Sequence, residues 1–210
     1  MAGSNEKKAF LKGPKRQRIL DAALSVFTRK GYGDTTVPDI AGEAGVAVGT
    51  MYNYFPGKQE LLVALMIDRF FSEPFIEILE STNSSDTVGF LAAFLENRIR
   101  FGRENVDNFV FLLSEVQRNS EVREQWVQQI VHPTLEKLQS FLSEGMADGK
   151  YKAMNSEVIS RAIAGMGIGF MLMYSIEKEK STISQSDPVE LARELAQLIE
   201  HGIERSDHDR

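Results

Sequence analysis

The chain has 210 residues, 42% of them hydrophobic and 26% charged, a globular balance that excludes an extensively disordered polymer. It contains no cysteine, which excludes disulfides and every thiolate metal site. The formal net charge of −6 argues against nucleic acid until the chain is divided. Residues 1–58 carry nine Lys/Arg against five Asp/Glu, net +4, and the rest carries fifteen against twenty-five, net −10. A basic head on an acidic body points any polyanion to the head; a solvated basic tail is the plainer reading of Lys7, Lys8 and Lys12. The longest nearly apolar stretch, Ala162–Ile176, has 15 residues and three glycines, short of the roughly 20 that span a bilayer. The basic N-terminus lacks the apolar core of a secretory signal. A soluble, cytoplasmic protein is expected.

Hydrophobic periodicity predicts helix after helix. Between Lys15 and Lys30, Ile19, Leu20, Ala22, Ala23, Leu24, Val26 and Phe27 fall mainly on one face, with Pro14 at the start and Gly31 as a stop. Thr36 and Asp39 have capping-box spacing for a two-turn helix from Val37 to about Ala44, and Pro38 is harmless in its first turn. Gly45 ends that helix, a short turn follows, and a third helix runs from Val48 to Tyr54 before Pro56-Gly57 breaks it. A helix from Lys58 to about Glu80 is expected to kink at Pro74. Ser81–Asp86 reads as a polar loop ending in a cap. Further helices are predicted over Thr87–Asn105, Asp107–Asn119, Glu121–Ala147 with a bend at Pro133, Ser156–Glu179 and Pro188–Glu204, the last opened by Asp187, Pro188 and Glu190. No period-2 run appears, so the fold class is all-α.

Two short helices joined by a Gly-containing turn are the helix-turn-helix arrangement, whose second helix fits the roughly 12 Å major groove of DNA. An αα-corner inside an ordinary bundle has the same spacing. The residues add to this. Arg16-Gln17-Arg18-Ile19-Leu20-Asp21-Ala22-Ala23, Phe27, Gly31-Tyr32, Thr35-Thr36, Ile40-Ala41, Ala44-Gly45-Val46, Gly49-Thr50 and Tyr52-Asn53-Tyr54-Phe55-Pro56-Gly57-Lys58 together resemble the TetR family of transcriptional regulators. The likeness covers about 45 residues of the head, and a weaker one runs through Leu112–Glu115 and Gly149–Tyr151 to Gly165-Met166.

That resemblance implies a basic flexible arm at 1–14, a three-helix helix-turn-helix DNA-binding domain at 15–57, and a larger helical effector-binding and dimerisation domain at 58–210. It implies that Ile40, Ala41, Val46 and Phe55 pack the head. Around the groove it implies DNA-facing positions at Thr35, Thr36, Ala47, Val48, Gly49, Thr50, Tyr52, Tyr54 and Lys58. Among these, Thr36 caps the second helix, Gly49 permits close approach to the DNA backbone, Thr50 and Tyr52 face the groove, and Tyr54 and Lys58 reach phosphates. The chain departs from the family at Ala47, a poor N-cap where Ser is frequent, at Val48, which has no donor, and at Gly57, another frequent Ser cap. Thr36 and Tyr52 also have plainer readings, as a cap and as a packed side chain.

The body is rich in Phe and Met, which usually means core but also suits an apolar cavity between helices. The resemblance implies an effector cavity, expected among Phe94, Phe101, Phe111, Trp126, Phe170 and Tyr174, and ligand binding that alters the spacing of two DNA heads. Gly165, Gly167 and Gly169 are costly in a helix, by roughly 1 kcal/mol each relative to Ala, and close helix approach would offset that cost. By resemblance, the last two long helices form a four-helix bundle with a second subunit through Gly165, Gly169, Met173, Leu191, Leu195 and Leu198. Arg98, Arg100 and Arg103 read as solvated or paired with carboxylates such as Glu96 and Glu104, and His132 as a residue at a helix bend.

Enzymatic chemistry finds little support. His132, His201 and His208 are scattered, and Ser-x-x-Lys at Ser4–Lys7 and Ser175–Lys178 lacks its companion motifs. No catalytic residue, metal or cofactor is expected. The expected function is that of a ligand-responsive transcriptional repressor, dimeric on a palindromic DNA operator and released by a small apolar effector. The alternative is a helical small-molecule-binding or adaptor protein without specific DNA binding.

Overall fold

The computed structural model describes residues 13–70, 77–78, 80, 86–180 and 182–204. The arm up to residue 12, Pro74, most of the loop before Asp86 and His208 lie outside them. The described residues form α1 (Pro14–Lys30), α2 (Val37–Ala44), α3 (Val48–Tyr54), α4 (Lys58–Phe70), α5 (Thr87–Glu104), α6 (Val106–Arg118), α7 (Ser120–Trp126), α8 (His132–Ala147), α9 (Ser156–Glu177), α10 (Thr182–Gln185) and α11 (Pro188–Ile203). An all-α fold follows, with one isolated bridge between Tyr151 and Glu204 among the described residues.

Local chemistry sets most helix ends. Gly31 closes α1 at φ 81° and Gly45 closes α2 in the left-handed region at φ 62°, backbone that glycine adopts without strain. Asp86, Asn155 and Asp187 cap α5, α9 and α11 by accepting from backbone N–H groups two or three residues on. The expected bend near Pro133 takes a specific form. A five-residue π turn, Val127–Val131, separates α7 from α8, and it lies just where a proline ring crowds the preceding turn.

The chain divides into two compact units. One joins the described residues up to Phe70 with Phe111–Trp126; the other joins those between 71 and 110 with those from Val127 onward. In the first, Ile19, Leu20, Phe27, Ile40, Ala41, Met51, Leu61 and Leu65 are buried. The Phe111 ring stacks on Phe27 with centroids 6.1 Å apart, so part of the chain's middle builds the head's core.

In the second unit, α5, α8, α9 and α11 enclose Phe90, Leu91, Phe94, Leu95, Phe141, Ile163, Ala192 and Ala196. Tyr151 is buried there, its hydroxyl 2.7 Å from that of Thr87. A Cβ at Gly145 would lie 2.1 Å from the Tyr151 ring. Gly145→Ala should therefore destabilise the protein by about 1–3 kcal/mol through overpacking, read as a lower urea midpoint at unchanged slope.

The α9 glycines divide by environment. A Cβ at Gly167 would meet the Arg98 side chain at 3.1 Å, whereas Gly165 and Gly169 face open space. Close approach inside the subunit therefore explains Gly167 alone of the three. Arg98 overturns its expectation as a solvated group: it is buried, bonded to the Asn97 side-chain oxygen and over the Phe101 ring at 5.5 Å. Burial pushes its guanidinium down to about 9. Arg100 pairs with Glu96 one turn away, as expected.

By length and composition alone, α9 is long and apolar enough to cross a bilayer: an 18-residue window has mean hydropathy 1.4, and 22% of it is buried. The helix begins at Ser156, more than a turn before the apolar stretch that opens at Ala162.

Candidate nucleic-acid interface

The candidate interface begins at Thr36. Its hydroxyl accepts from the Asp39 backbone N–H at 3.3 Å, and Asp39 in return accepts from the Thr36 backbone N–H at 3.0 Å. This reciprocal box fixes where α2 starts. Hydrogen bonds from Lys30, then from the Thr36 side chain and backbone, hold the Asp39 carboxyl far below the usual carboxylate range. Its contribution to the cap is full at neutral pH and is lost only as pH falls through that depressed value.

After α2, Val46 N–H donates to Ala41 O at 3.0 Å across the turn. Ala47 then opens α3 with no side-chain cap. On α3, Met51 is buried against the head, as is Phe55 just beyond, while Ala47, Val48, Gly49, Tyr52 and Asn53 are exposed. Spacings of three and four place 48 with 52, and 49 with 52 and 53, on one outward face. Thr50 and Tyr54 are half-buried at its flanks. Among the described residues nothing lies within 4 Å of a Cβ built on Gly49, so no contact among them requires that glycine. Asn53, whose amide can pair bidentately with adenine, joins this face although the sequence reading gave it no role.

Two side chains expected at the DNA are engaged inside the head. Thr35 is 2% exposed and its hydroxyl donates to Gly31 O at 2.7 Å, so it belongs to the head's interior. Lys58 donates to the carbonyl oxygens of Tyr32, Thr35 and Gly33 at 2.7, 2.9 and 3.1 Å. An ammonium has three hydrogens, and all three are used.

Other cations of the head are also engaged: Arg16 with Asp68, Arg29 with Glu43 and Lys30 with Asp39. Among the described residues up to Lys58, Lys15 and Arg18 are the basic groups without an ion pair or carbonyl partner.

The second unit holds a cavity of about 220 Å³ lined by Ile99, Arg103, Phe170, Met173, Tyr174, Glu177, Ser184 and Leu191. Phe170 and Tyr174 were expected there. Phe94 is instead in the core at 1% exposure, Phe101 lies under Arg98, and Phe111 and Trp126 belong to the head's unit. Aromatic periodicity marks burial without saying in which unit. Arg103, which the sequence reading assigned to solvent or ion pairs, donates to Ser186 O at 2.8 Å and sits over the Tyr174 ring. Among the described residues no three His, Asp or Glu side chains gather as a metal set.

A buried three-helix head presenting one short exposed helix, attached to a helical unit with an apolar cavity, defines a helix-turn-helix transcriptional regulator. Residues 19–65 match the family described as bacterial regulatory proteins, tetR family. The chain is 31% identical over 144 residues to the fatty acid metabolism regulator protein of Bacillus subtilis (strain 168), covering 67% of this chain and 73% of that one. The chain belongs to the TetR family of DNA-binding transcriptional regulators.

Among solved structures, the fatty acid degradation regulator FadR from Bacillus halodurans is similar at 25% identity and a TM-score of 0.69, with 91% of this chain and 97% of that chain covered. FadR from Bacillus subtilis, solved in complex with stearoyl-CoA, is similar at 25% identity and a TM-score of 0.68, with 89% and 98% covered. Likeness to the transcriptional repressor KstR of Mycolicibacterium smegmatis is 46% over 52 residues, about a quarter of each chain.

Proposed function

We propose that the chain is a cytoplasmic, dimeric repressor that places α3 in the major groove of a palindromic operator and is released by a mainly apolar, acyl-type effector held in the second unit. The observation that carries the DNA reading is the outward face of Val48, Gly49, Tyr52 and Asn53 opposite buried Met51 and Phe55. Val48 offers methyls to a thymine methyl, Tyr52 and Thr50 offer hydroxyls, and Tyr54 reaches a phosphate at the flank.

The dimer reading rests on α9 and α11. Ile168, Leu172, Met173 and Ile176 of α9 and Leu198 of α11 are between 41% and 70% exposed, beside Gly165 and Gly169 with open space above them. Leu191 and Leu195, expected in the seam, pack against their own core, because α11 turns that face to α5.

The effector reading rests on the apolar cavity walls of Ile99, Phe170, Met173 and Leu191, supported by the stearoyl-CoA complex of the Bacillus subtilis relative. At about 220 Å³ the cavity is below the roughly 300–1,000 Å³ of typical ligand sites. A long acyl chain therefore has to part α9 from α5 and α11 to enter. A ligand that costs the operator complex tenfold must prefer the released conformation by about 1.4 kcal/mol.

Selection of duplexes from random DNA by the full-length protein, followed by titration with acyl-CoAs of graded length, tests the whole reading. A selected palindrome released by one chain-length class is the expected result; selection without enrichment overturns it. Ile99→Phe should fill the cavity, abolish acyl-CoA release and leave operator binding unchanged in a gel-shift titration. Release that persists in this variant removes the cavity from the mechanism.

A further inference from the structure

The position of Lys58 is unusual for a cation. It is the first residue of α4, at the positive end of that helix, where an ammonium is disfavoured. The carbonyls that compensate belong to the loop after α1: Tyr32 O at 2.7 Å, Thr35 O at 2.9 Å and Gly33 O at 3.1 Å. The ammonium also lies 4.5 Å from the Tyr32 ring centroid, within cation–π range. The Tyr32 ring in turn packs on Phe27 at 5.4 Å.

Thr35 is thus held from both ends, its carbonyl by Lys58 and its hydroxyl by Gly31 O. The next residue is Thr36, the cap that sets where α2 begins. Loop carbonyls need donors; Tyr32 O also takes the Thr35 backbone N–H at 3.4 Å, and one side chain from 23 to 26 residues away serves all three.

We propose that Lys58 is a positioning residue of the DNA interface. It ties the Tyr32–Thr35 loop to the start of α4, and so fixes the entry to α2, without touching a phosphate. The inference rests on the reading of the head as the DNA-binding unit, but its geometry concerns the free protein and can be tested there.

The experiment compares full-length wild type with Lys58→Met, which keeps the stem and removes the donors, and Lys58→Arg, which restores donors. In DNA-free protein, amide hydrogen exchange across residues 32–36 should accelerate about tenfold in Lys58→Met and recover in part in Lys58→Arg. On a duplex that wild type selects from random DNA, at a temperature where circular dichroism shows each variant folded, Lys58→Met should lose about tenfold in affinity with an unchanged slope of log affinity against log salt. Combined with Thr36→Val, the loss should be less than additive, because both substitutions act on one loop. A uniformly weakened head gives additive losses instead and overturns the positioning role.

A slope that falls by nearly one for each lost phosphate contact overturns the proposal in favour of direct contact. So does unchanged exchange at residues 32–36. Should Lys58→Met fail to fold, Lys58→Leu, which also lacks a donor, carries the same readouts. A wild type that selects no duplex defeats the DNA reading, and the exchange result still decides Lys58.

Discussion

Tyr52→Ala should weaken operator binding by at least about tenfold while leaving the thermal midpoint nearly unmoved. The side chain is 53% exposed on the outward face of α3, so its removal opens no cavity, and substitutions of that kind usually fall within about 0.5 kcal/mol of neutral. On DNA the same ring and hydroxyl sit at the centre of the proposed contact, where losing one good base contact costs about 1–3 kcal/mol. Gly49→Ala sharpens the contrast. Nothing within 4 Å opposes a methyl there, and Ala is the better helix former by up to about 1 kcal/mol. The variant should melt higher and bind operator less well, because only an external backbone needs the room. Gel-shift titration beside differential scanning calorimetry separates the two effects. Operator binding unchanged in both variants would remove α3 from the groove.

The elements legible from sequence are those whose signals are local. The Thr36–Asp39 box, the glycine stops at 31 and 45 and the Asp187 cap each involve residues within a few positions, and each is present. What the sequence hid is set by distant partners. Thr35 is the local exception: it follows the same polar pattern as Thr36, yet burial turns its hydroxyl inward to Gly31 O four residues back. Lys58 reads as a spare cation until the carbonyls of residues 32, 33 and 35 close around it. The same holds for Phe111, which shares a helix with residues of the second unit but packs on Phe27. Pairing leaves the head's net charge as counted but shows where it is engaged: Arg29–Glu43 and Lys30–Asp39 cancel inside residues 1–58, and Arg16–Asp68 is balanced by Asp21–Arg69 across its boundary.

Leu172→Glu with Ile176→Glu should convert the proposed dimer to a monomer and abolish tight operator binding. Leu172 and Ile176 lie one turn apart on α9 and are 41% and 70% exposed. With Ile168 one turn before them and Met173 beside them, they leave an apolar face that the subunit does not cover. In an isologous interface each substitution appears twice, so the pair buries four carboxylates near one axis. Buried charges without partners are costly, and these repel one another.

Neither residue is buried or placed in the cavity wall, so the fold of each subunit should persist, with unchanged helicity by circular dichroism. Sedimentation velocity should then show a monomer at concentrations where wild type is dimeric. Operator affinity should drop by about 10²–10⁴, the gain that two linked heads have over one. Half-site binding by each separate head should retain the wild-type base preference, because α3 is untouched. A variant that remains dimeric would move the interface off α9, and a monomer that still binds the full operator tightly would sever dimerisation from recognition.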